Sequence, residues 1–78
     1  MKELVQYLAK SLVSNPDAVE VIETERESAS VLELKVAKED LGRIIGKQGR
    51  TAKSIRTILN AAASRTNRKV VLEIVEEP

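Results

Sequence analysis

The sequence predicts an α+β fold in which three helices cover one face of a three-stranded sheet, in the order α-β-β-α-α-β. Three observations predict it. Residues 2–13 and 50–65 place apolar side chains at helical spacing; residues 30–37 alternate at the two-residue period of a half-buried strand; and Gly46-Lys47-Gln48-Gly49 divides a helical run in two. A chain of 78 residues has room for one thin core, so residues 1–78 are expected to form a single domain.

Each element has its own warrant. In the first helix Leu4, Val5, Leu8, Ala9 and Leu12 fall on one stripe. Ser14-Asn15-Pro16-Asp17 stops it, because the residue before a proline is pushed out of the helical region. Residues 18–25, rich in Val and Ile with interspersed Glu, read as a strand, and Glu27-Ser28-Ala29 as a hairpin turn. In the next strand Leu32, Leu34 and Val36 share one face while Val31, Glu33 and Lys35 share the other. Residues 38–45 read as a short helix opened by Lys38-Glu39-Asp40, its acids suited to a positive helix start. The long helix from Arg50 to about Arg65 is expected to bury Ala52, Ile55, Ile58, Leu59, Ala62 and Ala63. Thr66-Asn67 closes it, residues 69–75 form the last strand with Leu72 and Ile74 inward, and the last few residues are expected to lie free.

Composition excludes much chemistry. The 42% apolar and 32% charged residues are the mix of a folded soluble protein. Without Cys there is no disulfide, thiol nucleophile or thiolate metal site, and without His the usual general base and commonest metal ligand are missing. Glu20, Glu23, Glu25 and Glu27 are spread along a strand and turn with no acid-base partner, so no catalytic residue, metal ligand or cofactor is assigned and no enzymatic activity is expected. No apolar run approaches the ~20 residues of a membrane span, and the charged start MKELVQYLAK reads as a helix instead of a signal peptide. A cytoplasmic binding module is the expectation.

The net charge of +1 hides a division along the chain. Residues 1–40 carry −4 and residues 70–78 carry −3, but residues 41–69 carry eight cations and no acid. Such a segment is an electrostatic footprint for a polyanion. Tyr7 is the one aromatic residue, so a nucleic acid could not be bound by stacking bases on exposed rings. Phosphate contacts, aliphatic packing and hydrogen bonds are left.

Gly46-Lys47-Gln48-Gly49 concentrates those means. Gly46 is expected to take the left-handed cap of the short helix, and Gly49 the turn into the next. Lys47 and Gln48 are polar donors, and the following helix, opening with Arg50 and Thr51, offers free N–H groups and a positive dipole end to a phosphate. Ile44 and Ile45 add an aliphatic wall, one of the pair facing the core.

The run Leu41-Gly42-Arg43-Ile44-Ile45-Gly46-Lys47-Gln48-Gly49-Arg50-Thr51-Ala52-Lys53-Ser54-Ile55 resembles the KH-domain signature, in which I-I-G-x-x-G-x-x-x-x-I bridges two helices. The element order is similar to the type II arrangement of that fold. The resemblance covers the whole chain, as in stand-alone bacterial KH proteins. It implies a single-stranded RNA partner, with the loop clamping about four unpaired nucleotides. By the same resemblance Gly46, Lys47, Gln48 and Gly49 would hold phosphates, with Thr51 beside them. Ile44, Ile45 and Gly42 would line the groove, Arg43, Arg50 and Lys53 would add charge, and strand residues 31–36 would offer backbone groups to base edges. Arg65, Arg68 and Lys69 would be secondary phosphate contacts or plain surface. The resemblance also implies a homodimer, or a heterodimer with a larger KH protein. Two other readings compete: a helix-turn-helix module reading duplex DNA, and a KH fold serving as a protein-interaction module.

Overall fold

A computed structural model describes residues 1–76; the expectation of a free C-terminal end falls partly on Glu77 and Pro78, outside the described residues. The elements are α1 (Lys2–Leu12), β1 (Glu20–Glu25), β2 (Ala29–Val36), α2 (Leu41–Ile45), α3 (Arg50–Ala63) and β3 (Lys69–Glu76), in the expected α-β-β-α-α-β order. Short 3-10 turns stand at Pro16–Ala18, Lys38–Asp40 and Lys47–Gly49. The first delays β1 to Glu20, and the second shortens the expected helix 38–45 to the five residues of α2.

The sheet order is β1-β2-β3, with β1 antiparallel and β3 parallel to β2. A parallel neighbour cannot be reached by a hairpin, so α2 and α3 form the crossover between β2 and β3. Leu32, Leu34 and Val36 of β2 are fully buried under the helices, as their alternation requires. They meet Val5 and Ala9 of α1, Val21 of β1, Ile44 of α2, Ile55 and Leu59 of α3, and Leu72 of β3 in one cluster.

Two expected core positions lie outside it. Leu12 is 40% exposed because α1 ends there and the chain turns away at Val13 in an extended conformation. Ile58 is 44% exposed: each helical residue turns by about 100°, which carries Ile58 off the arc defined by Ala52, Ile55, Leu59 and Ala63. The long helix also stops at Ala63, where Thr66 bonds back to the Ala63 carbonyl through both its N–H and its hydroxyl, and Asn67 takes a positive φ of 57°.

Polar contacts tie distant segments. Asp40 is fully buried; its carboxylate accepts bonds from the Ser14 N–H (2.9 Å), the Ser14 hydroxyl (2.8 Å) and the Asn15 N–H (3.1 Å). The residues that stop α1 are thereby anchored to the start of α2, a role beyond charge at a helix end. The backbone N–H of Ser14 holds the Asp40 carboxyl below its ordinary value of 3.8, against an opposing push from burial, and the Ser14 hydroxyl, Asn15 and Arg43 add to the lowering. At the other end of the molecule Arg68 donates to Glu25 Oε2 (2.7 Å) and to the carbonyls of Arg26 (2.9 Å) and Ala29 (3.1 Å), clasping the β1–β2 turn.

Candidate nucleic-acid interface

The candidate site is built where α2 ends. Gly46 N–H bonds to the Gly42 carbonyl at 2.8 Å and terminates the helix, but Gly46 itself has φ 77° and ψ 172°. This corrects the expected left-handed cap: Gly46 lies in the extended positive-φ region that essentially only glycine occupies. A Cβ there would collide with the Thr51 side chain and fall 2.8 Å from the Thr51 nitrogen, so the main chain at Gly46 abuts the first turn of α3. The left-handed positions come next, at Gln48 (φ 57°, ψ 26°) and Gly49 (φ 76°, ψ 11°). A Cβ on Gly49 would meet nothing within 4 Å, so there only the backbone angle calls for glycine.

The backbone path turns the loop outward. Lys47 and Gln48 are exposed, and as first residues of the 3-10 turn their N–H groups have no partner within it. Arg50 folds back over the loop, its Nη2 3.4 Å from Gln48 Oε1. α3 starts at once, with no side-chain cap and no acid in its first turn, so its positive dipole end is uncompensated. Thr51 is half-buried against Gly46, while Arg50 and Lys53 are exposed on the same opening stretch.

Around this loop the residues singled out from sequence divide. Ile44 is the member of the isoleucine pair that faces the core and is wholly buried, so of the two only Ile45, 39% exposed, has apolar surface to offer beside the loop. Gly42 is exposed with open space above it. Arg43 is exposed at the rim, its Nε 3.5 Å from Asp40 Oδ1. Arg68 is occupied by the β1–β2 turn and is structural.

The strand beside the groove is also reassigned. Residues 31–36 belong to β2, which is hydrogen-bonded on both sides and has no backbone groups to spare. Among the described strands the open edge next to α3 is that of β3. Arg56, unassigned from the sequence, reaches that edge and donates from Nη2 to the Leu72 carbonyl at 3.2 Å. Its place as one more cation on an exposed helix face carried no signal of that contact. Among the described residues no cluster of three His, Cys, Asp or Glu could hold a metal, and no helix is long and apolar enough to cross a membrane.

Known proteins share this arrangement. A structure of an Era variant from Aquifex aeolicus, bound to GDP and aluminium tetrafluoride, superposes with a TM-score of 0.62 over 96% of this chain at 22% identity. The chain spans 29% of that protein's length, and the likeness is one of fold. Curated relatives are nearer. The chain is 56% identical over 75 residues to RNA-binding protein KhpA of Clostridium acetobutylicum and 57% identical over 75 residues to that of Clostridium perfringens, covering 96% of this chain and 100% of each relative. It is 52% identical over 77 residues to RNA-binding protein KhpA of Chlamydia trachomatis, covering 99% of both. The profile of the KhpA/KhpB KH-domain family matches residues 2–74, and with the type II order of elements around its Gly46–Gly49 loop the chain belongs to that family.

Proposed function

We propose that this protein is a cytoplasmic RNA-binding protein that clamps about four nucleotides of single-stranded RNA and performs no chemistry on them. The observation that carries the reading is the loop Gly46–Gly49: exposed donors of Lys47 and Gln48 stand against an uncompensated helix start, in a segment without acids. Gly46, Lys47, Gln48, Gly49 and Thr51 hold the phosphates, and Arg43, Arg50 and Lys53 supply charge around them. Ile45 and the surface over Gly42 form the near wall of the groove. The relatives' name, RNA-binding protein KhpA, supports the same reading.

A single short clamp binds weakly, and pairing two of them raises the effective concentration. Ile58, exposed on α3 beside Ser54, Ala61 and Ala62, gives a second KH chain an apolar place to seat, either another copy or a larger KH protein. Sedimentation with and without RNA checks this pairing, and an Ile58→Asp chain should sediment as a monomer.

The test of the clamp is the double change Lys47→Asp with Gln48→Asp. Both side chains are exposed, so stability should stay within about 0.5 kcal/mol of wild type. Two carboxylates placed where phosphates approach should lower RNA affinity by tenfold or more. In wild type, neutralising three to four phosphates on a single strand should give log K a slope of about −2 to −3 against log salt. Wild-type binding by the double variant, or salt-independent affinity, overturns the proposal. A duplex DNA of the same sequence should bind less tightly than the single strand.

A further inference from the structure

The two edges of the sheet have different neighbours: β3 lies beside α3, whereas β1, at the far edge, packs on α1. In β1 Glu20 and residues 22–25 are exposed, and Val21 alone is buried. The free hydrogen-bonding groups of this edge follow from the hairpin. The Arg26 N–H donates to the Ala29 carbonyl at 2.8 Å, which makes 26 and 29 a hydrogen-bonded pair of the antiparallel ladder. Such pairs recur at every second position, so Thr24, Ile22 and Glu20 turn their backbone groups to Val31, Glu33 and Lys35. Val21, Glu23 and Glu25 turn theirs away from β2. Their N–H donors and carbonyl acceptors, spaced two residues apart, have no backbone partner among the described residues. Neither proline nor a bulge interrupts the strand; what guards it is charge.

Charge also decides what can pair there. Glu20, Glu23 and Glu25 make half of the strand acidic, and Glu27 follows in the turn. A second copy of β1 laid antiparallel on the first about its centre sets Glu20 against Glu25 at both ends, like charge on like. RNA phosphates are repelled in the same way. An extended segment carrying cations is attracted, and the alternation of the strand specifies where they stand. Glu23 and Glu25 share the helix-side face with Val21, while Ile22, 36% exposed, and Thr24 share the other. Glu25 already holds Arg68 and Ser30, but Glu23 has no cation among the described residues. The complementary strand alternates basic and apolar residues, its cations beside Glu23 and its apolar side chains beside Ile22.

We infer that the β1 edge is a docking site for an extended, basic segment of a partner protein, which joins the sheet as a fourth strand next to Glu23. The site lies across the sheet from the side where α3 and β3 meet, so the partner leaves the loop Gly46–Gly49 free. The inference goes beyond RNA binding and does not depend on it.

The experiment follows the backbone amides of Val21, Glu23 and Glu25 by nuclear magnetic resonance as an octapeptide of alternating Arg and Val is added. These amides should shift and gain about tenfold protection from hydrogen exchange. The same peptide N-methylated at alternate residues cannot donate along the edge and should bind about tenfold more weakly. Glu23→Lys should weaken binding about fivefold, whereas the charge-matched Glu73→Lys, exposed on β3, should leave it within about twofold. Circular dichroism verifies folding, and Glu23→Gln replaces the lysine variant if that chain is unfolded. Equal effects of Glu23→Lys and Glu73→Lys overturn the inference, because diffuse attraction then explains the binding. Full binding of the N-methylated peptide overturns strand addition, and absence of binding by the unmodified peptide overturns the site. Shifts of the same amides with protein concentration alone assign the edge to a second copy and overturn the partner assignment. Displacement of the peptide by a U octamer assigns the edge to RNA and overturns it as well.

Discussion

The two ends of the short helix α2 treat their polar groups in opposite ways. At its start, Asp40 is sealed from solvent and three donors of Ser14 and Asn15 satisfy it. At its end, Lys47 and Gln48 face outward and α3 begins uncapped. The first arrangement is complete within the chain; the second leaves backbone N–H groups and a positive helix end without a partner from the chain. The same contrast separates Arg68, bound to three oxygens of the β1–β2 region, from Lys47 and Lys53 on the exposed face. Cationic charge in residues 41–69 is therefore of two kinds, and the partners of each side chain tell them apart.

The strongest way to break the comparison is Gly46→Val. The substitution meets a backbone region costing about 1–3 kcal/mol for other residues, and its Cβ collides with Thr51, so a total loss of about 3 kcal/mol or more is expected. Urea unfolding measures it, and unchanged stability would show that the loop path at Gly46 is wrong. Gly49→Ala is the control: with open space at its Cβ it should cost only about 1–2 kcal/mol.

Asp40→Asn sharpens the comparison from the other end. The amide keeps one acceptor oxygen but sets its NH2 group against a donor that the other carboxylate oxygen had satisfied, so melting temperature should fall while affinity for RNA, per folded molecule, stays constant. The pH dependence has a definite sign. A carboxyl lowered in the folded state stabilises fully above its ordinary 3.8 and loses that contribution as pH falls below it. The gap in melting temperature between wild type and variant should therefore be wide near neutrality and narrow below that value. A gap independent of pH counts against an ionised Asp40.

The smallest expected effect is Arg68→Ala. Loss of its contacts to the β1–β2 turn should cost about 1 kcal/mol, with RNA affinity within twofold of wild type. A larger drop in affinity than in stability would return Arg68 to the binding surface.

Much of the fold was legible because its determinants are local. The alternation of residues 30–37, the stripe of α1 and the glycines after Ile45 each act within a few positions, and each element stands where those patterns put it. The misses share a different cause. The burial of Asp40 depends on Ser14, 26 positions away, and the engagement of Arg68 on Glu25, 43 positions away. Which strand is central depends on pairing, which alternation within β2 does not encode, so the free backbone edge expected along residues 31–36 lies beside α3 on β3 instead. Ile58 fits a wide apolar arc by periodicity and lies outside the narrower one that α3 buries. At the candidate site the loop was legible from glycine spacing and neighbouring charge, whereas Arg56 needed the edge of β3 to acquire a role.

The parallel pairing of β2 with β3 bears on how the molecule assembles. The β1–β2 hairpin closes through a four-residue turn bonded from Arg26 to Ala29, but β3 joins only after the 32 residues between Val36 and Lys69 have been drawn into a loop. Closing a loop of that length costs about 3 kcal/mol of chain entropy beyond a constant, recovered only when α2 and α3 pack. Non-local pairing of this kind sets folding speed, which places the docking of β3 late. The groove between α3 and β3 thus depends on a long-range closure that the β1–β2 hairpin does not need, and a strand of RNA lying across it would act as a splint on the seam where that loop closes.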